Sequence, residues 1–423
     1  MTHLHLLFLA LPACGLAVPL GDHPLDDQLV SESALLVHLA DALPDAAGVT
    51  AGDLVDDKRL EFDQAPDPSA LFVAQAAENA ALPDLVGDTL ELRVLTYNVG
   101  LLDRTYFAGG RVAVPHVAER AQVLPERVIT DDWDILLLQE IWEWEHVLLF
   151  AQAAEQNGYL WYAGTEKAHV EHGLMILVKE SLVGGEELQV EVQFDDQRSI
   201  EHRPGPNIRR GYLEWGFTLE PTGEPIRLLN THPQAFVDYW EVRNLQLRQV
   251  GLAASEAPAD TLVLLGGDLN AGPYYPQDTF GQIDGDPVTG WWRNATAWPL
   301  LQHYGGLRDL PGAFSEAQDV VAMDAVPAWS EAYFETPLAG ACDEIPENVF
   351  SAIDCNGLYF ENYAGQEYPA RLDFLMWRDG AAQLRVLESQ QEYMTPEAVD
   401  GAGTVELSDH YGVSARVQIG VGG

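Results

Sequence analysis

Short apolar runs separated by turn residues recur along the chain from Asp88 onward. Such runs predict strands of a buried sheet. The predicted strands are Leu90–Asn98, Asp134–Gln139, His172–Lys179, Leu188–Phe194, Gly211–Leu219, Ile226–Asn230, Thr261–Leu265, Arg371–Trp377, Gln383–Leu387 and Tyr411–Ile419. Helices are predicted at Val114–Ile129, Trp144–Asn157 and Phe236–Ala253. Strands mixed with helices in this way favour the α/β class with more than one sheet layer.

Polar residues follow one of these strands at once, in the stretch Leu264–Ala271, LLGGDLNA. The apolar run is predicted to stop at Gly266–Gly267, and Asp268 and Asn270 come directly after it. Side chains two residues apart on extended backbone project to the same side, and ligands of α/β sheets tend to sit where strands end. The pair could therefore orient a water molecule and contact a phosphate oxygen, or it could simply form an Asx turn.

After Pro273 the regular pattern fades. Residues 274–369 are rich in aromatic residues, Gly and Pro. A segment of this length is long for a connection in a compact domain, so we interpret it as helix fragments and functional loops. It also contains Cys342 and Cys355, which could form a local disulfide in an exported protein or remain free thiols in a cytosolic one.

The N-terminus combines a short apolar core with a small-residue segment, MTHLHLLFLALPACGLAV. This core is too short to span a membrane and is typical of a signal peptide, which we place at residues 1–20. Cys14 follows Leu-Pro-Ala, as in a bacterial lipoprotein signal. Residues 21–87 are rich in Asp, Ala, Leu and Pro and are interpreted as an acidic leader or linker. We therefore expect an exported protein that is secreted, periplasmic or lipid-anchored, with no transmembrane segment.

The charge balance limits the possible partners. The chain has 22 Lys and Arg against 66 Asp and Glu, a formal net charge of −44. Proteins bind nucleic acids mainly through Lys and Arg contacts to phosphates, so this surface disfavours a polyanion unless cations or a basic patch intervene. Arg209 and Arg210 form a basic cluster near the strands, which could meet a phosphate or pair with acidic neighbours.

Several polar residues interrupt apolar strands at their ends. They are Asn98, Glu140, His232, Asp268, Asn270, Asp373, Asp409 and His410. Each has an ordinary explanation as a turn former or a surface residue, but together they supply what metal-assisted phosphoester hydrolysis needs. Mg²⁺ prefers oxygen ligands, and Glu140 is the best candidate, with Asn98 beside it. A His can take a proton from water near neutral pH, and a nearby carboxylate can support it.

The ordered motifs TYNVG, LLLQE, NTH, GGDLNAGP, RLDFL and LSDHYGV, spanning residues 93–415, resemble those of the endonuclease/exonuclease/phosphatase superfamily. The resemblance implies a DNase-I-like, four-layer α/β sandwich of two mixed β-sheets flanked by helices, here as a single catalytic domain at residues 88–423. It also implies divalent-metal chemistry with Mg²⁺, or alternatively Mn²⁺ or Ca²⁺.

The same resemblance implies roles for individual residues. Glu140 matches the metal-binding Glu, and Asn98 lies close to it at the metal–phosphate site. Asp268 matches the Asp that orients the water, and Asn270 the Asn that contacts the phosphate. His410 resembles the general base, with Asp409 in a supporting or second-metal position. His232 resembles the second His, which stabilises the phosphorane or assists the leaving group, and Asp373 is similar to the Asp that orients that second His.

Within the superfamily, NTHPQAF, LSDHYGV and the export signal look closest to the bacterial neutral sphingomyelinase and phospholipase C branch. This likeness implies a phosphodiesterase acting on a phospholipid headgroup at a membrane surface, and we expect a monomer. Aromatic residues could receive a choline cation or insert at the interface: Trp291, Trp292, Trp298, Tyr333, Phe334, Tyr359, Phe360 and Tyr363. The aromatic hairpin that some relatives carry is not expected, because Gln391–Glu406 has only Tyr393. A secreted DNase-like endonuclease and an inositol-phosphate phosphatase remain alternatives.

Overall fold

Two six-stranded β-sheets organise the chain. The computed structural model describes residues 85–105, 111–130, 132–164, 172–195, 208–235, 240–270, 297–309, 372–393 and 395–422. The predicted signal, the leader, all three cysteines and the aromatic side chains named between Trp291 and Tyr363 lie outside the described part of the chain. Among the described helices, none has the length and apolar character needed to cross a membrane.

The described strands, in chain order, are β1 (Leu85–Asn98), β2 (Asp103–Thr105), β3 (Arg111–Ala113), β4 (Ile135–Gln139), β5 (Tyr159–Tyr162), β6 (Met175–Lys179), β7 (Val183–Gln193), β8 (Gly211–Leu219), β9 (Glu224–Thr231), β10 (Leu262–Asp268), β11 (Arg308–Asp309), β12 (Asp373–Arg378), β13 (Gln383–Glu392), β14 (Glu397–Val399), β15 (Gly403–Val405) and β16 (Gly412–Gly422). The described helices are α1 (Val117–Val128), α2 (Trp144–Gln156), α3 (Trp240–Glu256) and α4 (Ala297–Gly305), with a single 3₁₀ turn at Glu180–Leu182.

Both sheets are mixed. Sheet I has the order β13-β16-β1-β4-β6-β5, and sheet II has the order β11-β12-β10-β9-β8-β7. In sheet I, β1 pairs parallel with β4 and antiparallel with β16. In sheet II, β10 pairs parallel with β9 and antiparallel with β12. Two short antiparallel pairs, β2–β3 and β14–β15, lie outside these sheets.

Three apolar clusters show how the sheets are layered. One cluster lies between sheets I and II and includes Val94, Leu137 and Leu264. A second joins the other face of sheet I to α1 and α2, and a third joins the other face of sheet II to α3 and α4. The order helices, sheet I, sheet II, helices confirms the predicted four-layer α/β sandwich.

Strand alternation explains this division. Successive side chains of a strand point to opposite faces. In β4, Ile135 and Leu137 belong to the cluster between the sheets, whereas Leu136 and Leu138 face α1 and α2. All five positions of β4 are therefore buried, which is why its sequence is a continuous apolar run.

Several element predictions need correction. β10 does not stop before Gly266–Gly267 but continues through both glycines to Asp268. The glycines mark close packing: a Cβ on Gly266 would collide with the Leu137 side chain, and one on Gly267 with the Thr231 carbonyl. β7 begins at Val183, well before the predicted Leu188, because most of this edge strand is exposed and lacks an apolar run. β5, β11 and the two short strand pairs were not predicted from the sequence.

Candidate active site

The predicted site residues meet at one end of the sandwich because of strand register. Asn98 ends β1, His232 follows β9, Asp268 ends β10 and Asp373 begins the antiparallel β12. Each continues the alternation of residues that face the gap between the sheets, so four side chains from two sheets converge. All four are 2% exposed or less.

Asp268 is the centre of this group. Its Oδ2 accepts a hydrogen bond from Asn98 Nδ2 at 2.9 Å and lies 3.2 Å from His232 Nε2 and 3.8 Å from His410 Nε2. Its Oδ1 accepts from the Asn270 backbone N–H at 2.9 Å. Burial alone would raise the pKa of Asp268, but the charges of both histidines outweigh it and hold the pKa well below the usual range. Asp268 is therefore a carboxylate near neutral pH.

His410 pairs with Asp373 rather than standing apart from it. His410 Nδ1 lies 2.7 Å from Asp373 Oδ2. Burial lowers the pKa of His410, but the carboxylates of Asp373 and Asp268 raise it more, so the net pKa lies well above its ordinary value. The sequence interpretation had Asp373 orient His232, and this partner was wrong: the register of β12 brings Asp373 to His410, and the described carboxylate nearest to His232 Nε2 is that of Asp268.

His232 lies in a different electrostatic environment. Burial and the nearby positive charge of Arg210 lower the pKa of His232 to about 4, although Asp268 opposes this shift. Its ring lies 6.1 Å from that of Trp142, and its Nδ1 is buried with no hydrogen-bond partner among the described residues. His232 is thus a neutral imidazole at pH 7, whereas its neighbour His410 favours the protonated form.

Glu140 is held in an unusual backbone conformation. It follows β4 with a φ of 63°, which only a few non-glycine residues adopt and which turns its side chain out of the strand alternation. Its Oε1 lies 3.9 Å from His232 Nε2, and Oε2 is buried without a hydrogen-bond partner in the part of the chain that the structure describes. Burial and the charge of Asp409 raise the pKa of Glu140 to about 8. A buried oxygen without a partner, close to further carboxylates, fits a divalent cation well.

The structure also brings together a second possible donor set. One ligand atom each from Asp268, Asp373 and His410 lie within 4.8 Å of one another. Asn98, predicted as a ligand beside Glu140, donates through Nδ2 to Asp268 and accepts through Oδ1 from the Gly100 N–H at 3.0 Å. Asn98 therefore positions Asp268 in this structure, and its part in metal binding stays a prediction.

Comparisons with known proteins identify this arrangement. The model of the endonuclease/exonuclease/phosphatase family matches residues 95–410, which is most of the chain. The protein belongs to the endonuclease/exonuclease/phosphatase family. It is accordingly a phosphodiesterase-like hydrolase of a family whose members typically use divalent metals. No curated protein matches the sequence.

Solved structures with a similar fold include TDP2, SmcL and a beta toxin. A D. rerio TDP2 complexed with single-strand DNA product is 17% identical, over 77% of this chain and 98% of that chain, with a TM-score of 0.49. SmcL is 14% identical over 78% and 99% of the two chains, with a TM-score of 0.46. A beta toxin from Staphylococcus aureus is 14% identical over 77% and 99%, with a TM-score of 0.45.

One buried arginine next to the site was not predicted from the sequence. Arg120, on α1, is 0% exposed and donates to the carbonyls of Pro115, Val99, Gly100 and Leu407. It thereby ties the turn after β1 to the segment that carries Asp409 and His410. A single Arg among the apolar positions of a helix gave no indication of these partners.

The remaining predicted residues have plain structural surroundings. Asn270 has a φ of 52° and donates through Nδ2 to the Pro233 carbonyl at 3.1 Å, which links the ends of β9 and β10. Asp409 is 2% exposed and lies 3.3 Å from Ser408 Oγ. Tyr393 stacks on Tyr97 with ring centroids 5.0 Å apart, so it packs inward and offers no membrane-inserting tip.

Proposed function

We propose that the protein is an exported, Mg²⁺-dependent phosphodiesterase that hydrolyses the headgroup ester of a phospholipid such as sphingomyelin, acting as a monomer at a membrane surface. The family supplies the reaction class, and the proposal narrows the substrate to a zwitterionic lipid.

The charge distribution is the observation that carries this choice. With a formal net charge of −44, the chain repels a polyanion. Many of the described arginines are engaged by acidic partners: Arg127 with Glu397, Arg227 with Glu214, Arg308 with Asp379, and Arg416 with Glu91 and Glu388. A choline headgroup presents one phosphate and one cation, so it needs few basic residues and benefits from acidic surroundings.

Arg210 supplies positive charge beside Glu140 and His232. It is 3% exposed, its guanidinium carbon lies 5.4 Å from the Trp142 ring centroid, and its charge acts on both Glu140 and His232. A guanidinium buried beside Glu140 and His232 suits the charge of a phosphodiester group.

The site residues divide the reaction in a consistent way. Asp268, fixed by Asn98 and the Asn270 N–H, orients the attacking water. His410 accepts the proton of that water from its deprotonated form, which the raised pKa makes more abundant at alkaline pH, and Asp373 stabilises the imidazolium that results. His232, neutral because burial lowers its pKa, directs its single N–H from Nε2 to the Asp268 carboxylate at 3.2 Å and so holds this carboxylate in place. As the water oxygen bonds to phosphorus, the P–O bond to the lipid alcohol breaks, and the departing alkoxide takes a proton from solvent.

A divalent cation fits at Glu140, with Asp409 nearby. When bound there, it neutralises the charge that develops on the phosphoryl group and the leaving oxygen. The protein's own contribution is to keep the carboxylates buried and to hold the donors in fixed positions.

A substrate panel tests the proposal. Sphingomyelin, phosphatidylcholine, phosphoinositides, plasmid DNA and bis-p-nitrophenyl phosphate are incubated with the enzyme in Mg²⁺ or EDTA. We expect Mg²⁺-dependent release of phosphocholine, lost in His410→Ala and kept in His303→Ala, an exposed histidine on α4 that serves as the matched control. Plasmid nicking without phosphocholine release would instead support the endonuclease, and release of inorganic phosphate from inositol phosphates would support the phosphatase.

A further inference from the structure

The apolar layer between the two sheets becomes polar directly beneath the candidate active site. The inward positions of β1, β4 and β9 are apolar along most of their length, at Val94, Leu137 and Leu228 for example. The next inward positions are Thr96, Gln139 and Asn230, all 0% exposed. Polar groups in such a position need hydrogen-bond partners, because burial removes their contacts with water.

These side chains form a bridge from one sheet to the other. Gln139 Nε2 on sheet I donates to Asn230 Oδ1 on sheet II at 2.8 Å. Asn230 Nδ2 in turn donates to the carbonyls of Leu138 and Met175, on β4 and β6 of sheet I, at 2.8 and 2.9 Å. Gln139 Nε2 also lies 3.1 Å from Thr96 Oγ1, within sheet I. Three hydrogen bonds therefore cross from sheet to sheet at one point.

The bridge lies next to two site residues whose side chains face each other, Glu140 and His232. Gln139 immediately precedes Glu140 on sheet I, and Asn230 lies two residues before His232 on sheet II. Glu140 Oε1 and His232 Nε2 are 3.9 Å apart. Apart from such directional bonds, the sheets are held by apolar packing, which is non-directional and tolerates small sliding movements. Gly266 allows the sheets to approach closely here, because a Cβ would collide with Leu137.

We propose that Gln139 and Asn230 form a positioning pair, whose hydrogen bonds across the sheets set the separation of Glu140 from His232. This inference rests on the proposed phosphodiesterase function. The pair touches neither substrate nor cation; it acts through the residues that follow it in each strand.

A purely stabilising role explains the pair less well. Replacing both partners of the Gln139–Asn230 hydrogen bond by apolar groups of similar shape is often nearly neutral for stability, so stability alone does not explain this bond. The carbonyls of Leu138 and Met175 would each lose a donor, which lowers Tm. What an apolar pair lacks is a fixed register between the sheets, which is the best-attested use of buried polar groups.

The experiment uses near-isosteric variants of the full chain: Gln139→Met, Asn230→Leu and the double variant. Thr96→Val is the matched control, because it removes a hydrogen bond of Gln139 within sheet I and leaves the bridge intact. Rates on bis-p-nitrophenyl phosphate give kcat and KM per folded molecule, and thermal unfolding gives Tm.

We expect Asn230→Leu, which removes all three bonds between the sheets, to lower kcat by about 10- to 100-fold, since a misplacement of about 1 Å costs up to that much, with little change in KM. Gln139→Met removes one of the three bonds and should lower kcat by less. The double variant should be no slower than the slower single variant, because both changes break one bridge. Thr96→Val should keep the wild-type kcat even if its Tm falls. Variants that lose Tm but keep kcat would overturn the inference, and so would additive losses of kcat in the double variant.

A separate outcome addresses the proposed function. If the wild type hydrolyses no phosphodiester, the proposed function fails, and the crystal structure of Asn230→Leu then decides the inference alone. The Glu140–His232 separation must widen beyond 3.9 Å for the inference to stand. An unchanged separation would overturn it. If Asn230→Leu does not fold, the Glu140–His232 separation in crystal structures of Gln139→Met and Thr96→Val decides in its place: it must widen in Gln139→Met and stay unchanged in Thr96→Val.

Discussion

Replacing Asp373 with Asn removes the negative charge that faces His410 while keeping the shape of the side chain. The two side chains are 2.7 Å apart, and they are 0% and 5% exposed. Asp373 is the strongest influence that raises the pKa of His410. The substitution therefore lowers this pKa and leaves the protonated imidazole without its main stabilising partner.

The magnitude follows from the burial of the pair. Breaking a buried ion pair by removing one partner costs about 3–5 kcal/mol, and each 1.36 kcal/mol corresponds to a tenfold change in rate. If the imidazolium forms in the transition state, the full cost appears in the rate. We therefore expect kcat of Asp373→Asn to fall by about 10²- to 10⁴-fold.

The assay is the pH dependence of bis-p-nitrophenyl phosphate hydrolysis at saturating Mn²⁺. A general base must be deprotonated, so its pKa sets the acid limb of kcat. Because Asp373 raises the pKa of His410, its removal should move this limb to lower pH while the plateau falls. Asp379→Asn is the control: Asp379 accepts from the Leu384 N–H and Trp377 Nε1 away from the site, and this variant should behave as the wild type.

Two results would refute this reasoning. An acid limb that stays at the wild-type pH would show that His410 does not titrate in the rate profile. A loss of Mn²⁺ affinity with no movement of the limb would assign Asp373 to the metal-binding group that it forms with Asp268 and His410.

Three further changes test the electrostatics and backbone of the site. Glu140→Gln should raise Tm in EDTA, because burial and Asp409 raise the pKa of the native carboxyl to about 8, which shows that its charged form is disfavoured in the fold. Mn²⁺ should raise the Tm of the wild type much more than that of the variant. An equal rise would contradict the assignment of Glu140 as a metal ligand. Gly100→Ala should lower the free energy of unfolding by about 1–3 kcal/mol in urea titrations, because Gly100 has a φ of 57° and a Cβ would collide with Asp409; an unchanged midpoint would argue against this conformation. The pKa of His232 is about 4 in the folded protein against an ordinary 6.5, so on acidification the unfolded chain binds a proton at this residue first. The contribution of His232 to the free energy of unfolding should therefore be complete above pH 6.5 and fall toward pH 4. His232→Gln should flatten the curve of this free energy against pH between 6.5 and 4 in urea titrations, whereas a slope identical to that of the wild type would exclude His232 as the cause.

How well each strand was predicted from the sequence depends on how much of that strand is buried. β4 is buried at every position and was visible as an apolar run, and β8 has the predicted bounds Gly211–Leu219. β7 is largely exposed, so the sequence revealed only its second half. The strand was predicted to stop at the two glycines of β10, yet it continues through them, and neighbouring atoms occupy the space that a side chain would need. Local pattern therefore predicted buried strands and failed where tertiary contacts decide.

The candidate site shows the same limit. Strand-end polar residues were identifiable from the sequence, and the structure places them together. Which His pairs with Asp373 depends on the register of β12, which local pattern does not contain. Arg120 and Asn230 were missed for a related reason: each acts through backbone carbonyls of distant strands or turns, and such acceptors leave no mark in the residue types.

The position of β16 has a consequence for biosynthesis. β16 is the last described strand to be synthesised, yet it lies inside sheet I, between β1 and β13. A ribosome-bound chain that stops before Ser408 has no His410 to meet Asp373, and both neighbouring strands keep an unpaired edge. Sheet I is complete only when β16 pairs with β1, which joins residues as distant as Leu85 and Gly422. Such long-range pairing forms slowly. His410 and the strand that completes sheet I therefore join the fold together.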